Sequence, residues 1–166
     1  MSAPRIGHGL DAHRLATGRP LWLGGVRIPF ERGLEGHSDG DALLHAVASA
    51  LLGALGDGDL GSHFPSSDPT WRGAASRDLL ARVVDRMRAR GFAVGNLDAT
   101  VIAEQPRLAP LRGAMVESIA KILGVSARRV NVKLTSPDGL GAIGRAEGIA
   151  AQAVVLLVDA ADAEDR

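Results

Sequence analysis

Gly36-His37-Ser38-Asp39-Gly40-Asp41-Ala42-Leu43-Leu44-His45 is the stretch on which the reading of this chain turns. A polar, glycine-bearing segment runs into Leu44, Val47, Ala48, Leu51 and Leu55, apolar residues at helical spacing. That pattern predicts a helix from about Asp39 to Leu55 with this stripe buried. Ser38 followed three residues later by Asp41 fits a capping-box variant and makes Ser38 the expected N-cap. Asp41, His45 and Ser49 stand at i, i+4 and i+8 on an adjacent face. Two histidines and several acceptor side chains thus gather within one loop and one helical turn.

Upstream, Ile6-Gly7-His8-Gly9-Leu10-Asp11-Ala12-His13 alternates as a strand. Ile6, His8 and Leu10 share one face, and Gly7, Gly9, Asp11 and His13 the other. Asp11 and His13 therefore present two potential metal ligands on one side, whereas His8 points away and reads as structural. Gly24-Gly25 between Leu21-Trp22-Leu23 and Val26-Arg27-Ile28 signals a tight hairpin. Glu31 to Gly36 reads as loop. Residues 56–73 form a long Gly/Asp/Ser/Pro segment of the functional kind, with Phe64 and Trp71 as tethers and His63 as an exposed loop residue. A helix follows over 75–90 with Gly91 as its C′ residue and a solvated arginine face. A strand over 97–103, a turn at Glu104-Gln105-Pro106-Arg107, a helix over 111–123, a strand over 130–135, a glycine loop and a strand over about 149–158 complete the pattern. The expected architecture is α+β, an α/β layer of mixed sheet with helices on one face. One domain spans residues 1–160, and 161–166 are a polar tail. The chain offers no helix for the second sheet face, which points to subunits covering one another.

Composition narrows the function. Lys+Arg and Asp+Glu both number 19, so no net basic field is available for nucleic acid or an anionic membrane. Three Phe, two Trp and no Tyr cannot make a base-stacking platform. With no Cys, a transition metal must be held by His and carboxylate. No apolar run reaches membrane-spanning length, and no secretory signal opens the chain, so a cytoplasmic location is expected.

Asp11, His13 and His45 are the best metal set. Three N/O ligands from a strand and a helix leave a coordination position open, as catalytic zinc sites do, and such ligands also suit Mn²⁺ or Fe²⁺. Gly139-Leu140-Gly141-Ala142-Ile143-Gly144 matches G-x-G-x-x-G, but it leads into a terminal strand and not into the helix of a βαβ unit, so a dinucleotide fold is rejected.

These stretches, with Gly58-Asp59-Leu60-Gly61, Phe64-Pro65, Asn131-Val132-Lys133 and Gly144-Arg145-Ala146-Glu147-Gly148-Ile149-Ala150, resemble the 2-C-methyl-D-erythritol 2,4-cyclodiphosphate synthase family over almost the whole chain. The resemblance implies a lyase of non-mevalonate isoprenoid biosynthesis. In that reaction the 2-phosphate of 4-diphosphocytidyl-2-C-methyl-D-erythritol 2-phosphate attacks the β-phosphorus and CMP leaves. It also implies a homotrimer with sites between subunits, Zn²⁺ on Asp11, His13 and His45 (one per subunit), and a second ion, Mg²⁺ or Mn²⁺, on Asp138. By the same resemblance His37 and Ser136 are catalytic, stabilising the transferring phosphate. Ser38, Asp59, Gly61, Phe64, Asp68 and Thr135 bind substrate, and Ala103, Pro106, Arg107, Leu108 and Ala109 form the cytidine-phosphate pocket. Ala142 and Arg145 face a central trimer cavity that takes isoprenoid diphosphates. The chain departs from the family pattern at Ser136-Pro137-Asp138, where Thr-Thr-Glu is usual, and at Ala142, where Phe is usual. A metal-dependent phosphohydrolase and a non-enzymatic trimeric metal- or nucleotide-binding module are the competing readings.

Overall fold

The computed structural model describes residues 3–163. Its main sheet is five-stranded in the order β4-β1-β7-β5-β6. The strands are β1 (Arg5–Thr17), β4 (Arg32–Leu34), β5 (Phe92–Ile102), β6 (Val130–Thr135) and β7 (Gly148–Asp159). β7 is antiparallel to both β1 and β5, and β5 is parallel to β6. The hairpin expected at Gly24-Gly25 forms a separate two-stranded sheet, β2 (Leu21–Leu23) and β3 (Val26–Ile28). The helices α1 (Ala42–Leu55), α3 (Ser76–Ala89) and α4 (Arg112–Leu123) pack together with the inner sheet face around one core. Short helical turns include α2 (Leu60–His63), α5 (Gly141–Gly144) and α6 (Ala160–Ala163). No helix among these is long and apolar enough to cross a membrane.

α1 is the hub. It is buried almost all round, from Ala42 to Leu55, and not along one stripe as its apolar spacing suggested; a helix apolar on all sides belongs in the centre of a core. It lies directly on β1, and two glycines permit the contact. A Cβ on Gly7 would stand 1.9 Å from the Ala50 carbonyl oxygen, and one on Gly9 would stand 2.0 Å from that of Ala46.

Several boundaries differ from expectation. Asp41, not Ser38, is the N-cap of α1, so the helix starts at Ala42. Asp41 Oδ1 accepts the Leu44 N–H at 3.0 Å and the Gly24 N–H at 2.9 Å, and Oδ2 accepts the Gly25 N–H at 2.7 Å. The positive φ of Gly24 and Gly25, 61° and 74°, turns both amides onto one carboxylate. Asp41 is therefore a fully buried clasp between hairpin and helix, and its oxygens are not available to a metal or to solvent. The loop over 31–36 contains β4, which pairs Leu15 with Leu34. β5 starts at Phe92 because a bulge between Val94 and Asn96 lets the strand resume its register. The glycine loop contains α5, and Gly144 packs so closely on Gly139 that a Cβ would meet its carbonyl carbon at 2.2 Å. Of the tail, Ala160–Ala163 is helical, and residues 164–166 lie outside the described residues.

The second sheet face is uncovered by the chain's own helices, as expected. Ile6, His8, Leu10 and Ala12 stand opposite Leu156, Val154, Gln152 and Ala150 on it. Ile6 is 72% exposed and Leu10 64%. His8 lies exposed in this row, pointing away from Asp11 and His13 as its alternation predicted.

Candidate active site

Asp11 and His13 leave β1 on the helix side, and His45 meets them from the first turn of α1. Asp11 Oδ2 lies 2.7 Å from His13 Nε2 and 2.9 Å from His45 Nδ1, and the two nitrogens are 3.2 Å apart. Ligands of a tetrahedral ion at about 2.0–2.1 Å sit about 3.3 Å from one another. The three atoms need only open by a few tenths of an ångström, so the set fits such an ion. Among the described residues no other group of three His, Asp or Glu side chains converges in this way. Burial works against the Asp11 charge, but hydrogen bonds and positive charge from His13 and His45 outweigh it and hold the carboxyl well below the usual range. The hydrogen bond to Asp11 raises the His13 pKa, so binding a cation here displaces a proton and weakens as pH falls.

His37 lies in the loop just before α1, and its ring Nε2 is buried with no hydrogen-bond partner. Its backbone is fixed: the His37 carbonyl accepts the Gly73 N–H at 2.7 Å, and the next pair joins Asp39 N–H to the Ala74 carbonyl at 3.1 Å. A buried imidazole nitrogen without a partner has a full hydrogen bond to offer a ligand. Ser38 is buried behind His45, with Oγ 3.0 Å from Nε2, the ring nitrogen that faces away from Asp11 and His13.

The long segment after α1 is ordered by its own chemistry. Asp59 caps α2 through Oδ1, which accepts the Ser62 N–H at 2.8 Å and the Ser62 hydroxyl at 2.6 Å; Gly61 lies exposed in the same turn. Phe64 and Trp71 stack edge to face at 5.0 Å, as their tethering role predicted, and Arg82 lies over Trp71. Asp68 Oδ1 accepts the Thr70 N–H. Two expectations fail here. His63 is half-buried, 2.7 Å from the Asp57 carbonyl oxygen, and is not a free loop residue. The arginine face of α3 is not merely solvated, because Arg86 and Arg90 clamp Asp57 at 2.8 and 2.6 Å.

A second place is built at the same end of the sheet. Asp11 and Val101 both pair with Ala151, so the end of β5 lies level with Asp11 on β1. Ala103, Pro106, Arg107, Leu108, Ala109, Thr135 and Ser136 line a cleft of about 250 Å³ there. This gathers the whole predicted nucleotide turn. Gln105-Pro106 is a cis peptide. Glu104, which sequence reasoning passed over as a turn residue, is the hinge of the arrangement: its Oε2 accepts the Ser136 hydroxyl at 2.7 Å and the Gly139 N–H at 3.3 Å. Asp138, exposed at φ 52°, donates its N–H to Ser136 Oγ and is not part of the metal cluster. Ala142 is exposed on α5, and Arg145 pairs with Glu147 at 2.6 Å.

An α+β domain with three convergent N/O side chains that could hold a metal ion, a buried unpartnered histidine nitrogen and an open cleft has the parts of a metal-assisted enzyme. The chain belongs to the YgbB family, whose model matches residues 4–158, and its relatives are 2-C-methyl-D-erythritol 2,4-cyclodiphosphate synthases. The enzyme of that name from Trichlorobacter lovleyi is 58% identical over 154 residues, which is 93% of this chain and 98% of the relative. That from Syntrophotalea carbinolica is 53% identical over 162 residues, covering 98% of this chain and 99% of the other. Among solved structures, a synthase of this name with CDP bound superposes with a TM-score of 0.86 at 40% identity, over 93% of this chain and all of that one. A bifunctional enzyme from Campylobacter jejuni superposes with a TM-score of 0.91 at 40% identity over 96% of this chain, which spans 44% of it.

Proposed function

We propose that this chain converts 4-diphosphocytidyl-2-C-methyl-D-erythritol 2-phosphate to 2-C-methyl-D-erythritol 2,4-cyclodiphosphate and CMP, a step of isoprenoid biosynthesis. The observation that carries this reading is the convergence of Asp11, His13 and His45 in a chain of this family. A 2-phosphate oxygen forms a bond to the β-phosphorus, and the bond from that phosphorus to the CMP oxygen breaks. The nucleophile is on the substrate, so no protein nucleophile is required. What remains for the protein is to fold the substrate back on itself and to neutralise charge. The ion is Zn²⁺, one per subunit, and when bound it supplies Lewis-acid stabilisation at a phosphoryl oxygen.

The other roles follow. His37 Nε2 donates to a phosphate oxygen, in keeping with its buried, partnerless state. Ser136, whose hydroxyl rests on Glu104, would turn that one hydrogen to a phosphate oxygen from the nucleotide side. The cleft of Ala103, Pro106, Arg107, Leu108, Ala109 and Thr135 receives the cytidine phosphate, and Ser38, Asp59, Gly61, Phe64 and Asp68 surround the erythritol end. Asp138 would hold Mg²⁺ or Mn²⁺, which would neutralise charge on the diphosphate. The protein works in the cytoplasm as a single-domain homotrimer. Near the axis, an isoprenoid diphosphate would have to compete with Glu147 for Arg145 and finds only a methyl group at Ala142. Phosphorus NMR of the product made by purified protein tests the reaction: the expected signals are those of a cyclic diphosphate with released CMP. A linear diphosphate or monophosphate would overturn the cyclisation.

Assembly rests on the uncovered sheet face, with Ile6, Leu10 and Val154 exposed in one patch. Light scattering on a sizing column is expected to give three subunits. A stable, active monomer would contradict it.

Asp138→Asn is expected to lower turnover by roughly 10²-fold or more, the scale at which lost charge stabilisation at a phosphoryl group shows, with zinc content unchanged. Wild-type turnover in that variant would remove Asp138 from the second site.

A further inference from the structure

His45 uses only one ring nitrogen toward Asp11 and His13. The other, Nε2, points into the protein, 2.9 Å from Ser76 Oγ and 3.0 Å from Ser38 Oγ. Ser76 is the first residue of α3 and is 1% exposed. Its hydroxyl makes a short hydrogen bond to Asp39 Oδ1, and its N–H donates to Asp39 Oδ2 at 3.0 Å. Asp39 Oδ1 also accepts the Asp41 N–H at 3.2 Å.

Counting protons gives this chain a direction. A carboxylate only accepts, and a serine hydroxyl has one hydrogen to give. With Asp39 as carboxylate, the Ser76 hydrogen goes to Oδ1. Toward His45, Ser76 can then only accept, so the ring proton must sit on Nε2. Nδ1, the nitrogen 2.9 Å from Asp11 Oδ2 and 3.2 Å from His13 Nε2, is then the one whose lone pair a cation in that set would take, in place of the hydrogen bond it gives Asp11 here. Ser38 fits the same scheme: its Oγ accepts the Gly40 N–H at 3.2 Å and has its hydrogen free for Ser76 Oγ at 3.3 Å.

We propose that Asp39 and Ser76 are positioning residues, a carboxylate–hydroxyl–imidazole relay that fixes the Nε2–H tautomer of His45 and aims its Nδ1 lone pair at the metal. Neither residue touches substrate in this role; both act through His45. The relay deepens the metal-site reading above and rests on it. It also ties the start of α3, more than thirty residues along the chain, to the metal ligand on α1. Partners of this kind commonly change metal affinity 10–100-fold.

The test uses the full chain as wild type, Ser76→Ala and Asp39→Asn, with zinc titrated against a chromophoric chelator. Long-range ¹⁵N–¹H spectra of labelled histidine report the His45 tautomer. The expected result is a protonated Nε2 in wild type, a mixed population in Ser76→Ala, and zinc affinity about 10–100-fold weaker in that variant. Asp39→Asn keeps an acceptor for the hydroxyl and is expected to fall between the two; it also stands in if Ser76→Ala does not fold. A merely structural Ser76 would lower the melting temperature without moving the tautomer. Wild-type zinc affinity in Ser76→Ala, or an unprotonated Nε2 in the wild type, overturns the relay alone. A wild type that binds no zinc overturns the metal site and the relay together.

Discussion

His45→Ala is expected to lose at least about 10³-fold in kcat/KM, the scale of removing a principal source of charge stabilisation in phosphoryl chemistry. The same variant should purify without zinc. The two losses belong together because His45 is the one member of the set not on β1, and it brings Nδ1 within 2.9 Å of Asp11 and 3.2 Å of His13. Two ligands on a strand cannot by themselves make the three-ligand catalytic arrangement. The fold should survive. The clasp that starts α1 is Asp41 on Gly24, Gly25 and Leu44, and His45 contributes nothing to it. Elemental analysis and steady-state assays check the prediction, with His13→Ala as the parallel variant. Tight stoichiometric zinc in both proteins would place the ion elsewhere.

Gly9→Ala is expected to be among the most destabilising single changes in the chain. The added methyl carbon would lie 2.0 Å from the Ala46 carbonyl oxygen and 2.7 Å from the Ala50 nitrogen, both backbone atoms of the central helix. No rotamer change relieves a clash with backbone, so α1 must lift off β1. Overpacking of this kind costs about 3 kcal/mol or more, which for a domain of this size lowers the melting temperature by roughly 6–12 °C. Lifting α1 also carries His45 away from Asp11, so metal affinity should fall with stability. Gly113→Ala is the control: its methyl group meets nothing within 4 Å, and inside α4 it should be neutral or stabilising by up to about 1 kcal/mol. Scanning calorimetry of the two variants decides the point. Equal melting temperatures would mean that the contact between strand and helix is not the constraint described.

Much of this was legible from residue order. Alternation placed Asp11 and His13 on one strand face, and helical spacing placed His45 on a neighbouring element. Their meeting needed only the packing of α1 on β1. The Gly24-Gly25 hairpin was equally plain, because few residues other than glycine accept two successive positive φ angles. What it was for was hidden: its amides bind Asp41, and that long-range bond displaced Ser38 as the cap. Local pattern could not choose between two acceptors three residues apart, because the hairpin amides that decide it lie sixteen and seventeen residues upstream. Ser76 and Glu104 were missed for the same reason. Each reads locally as a helix start or a turn, and each acquires its meaning from a partner more than thirty residues away. β4 was hidden because a three-residue strand has no periodicity to detect.

The uncovered face carrying Ile6, Leu10 and Val154 has a thermodynamic consequence. Where copies of the chain cover that face for one another, folding and association become one equilibrium, and the apparent stability acquires a concentration term. The melting temperature then rises with the amount of protein in the cell or the cuvette, and dilution alone becomes a denaturing condition.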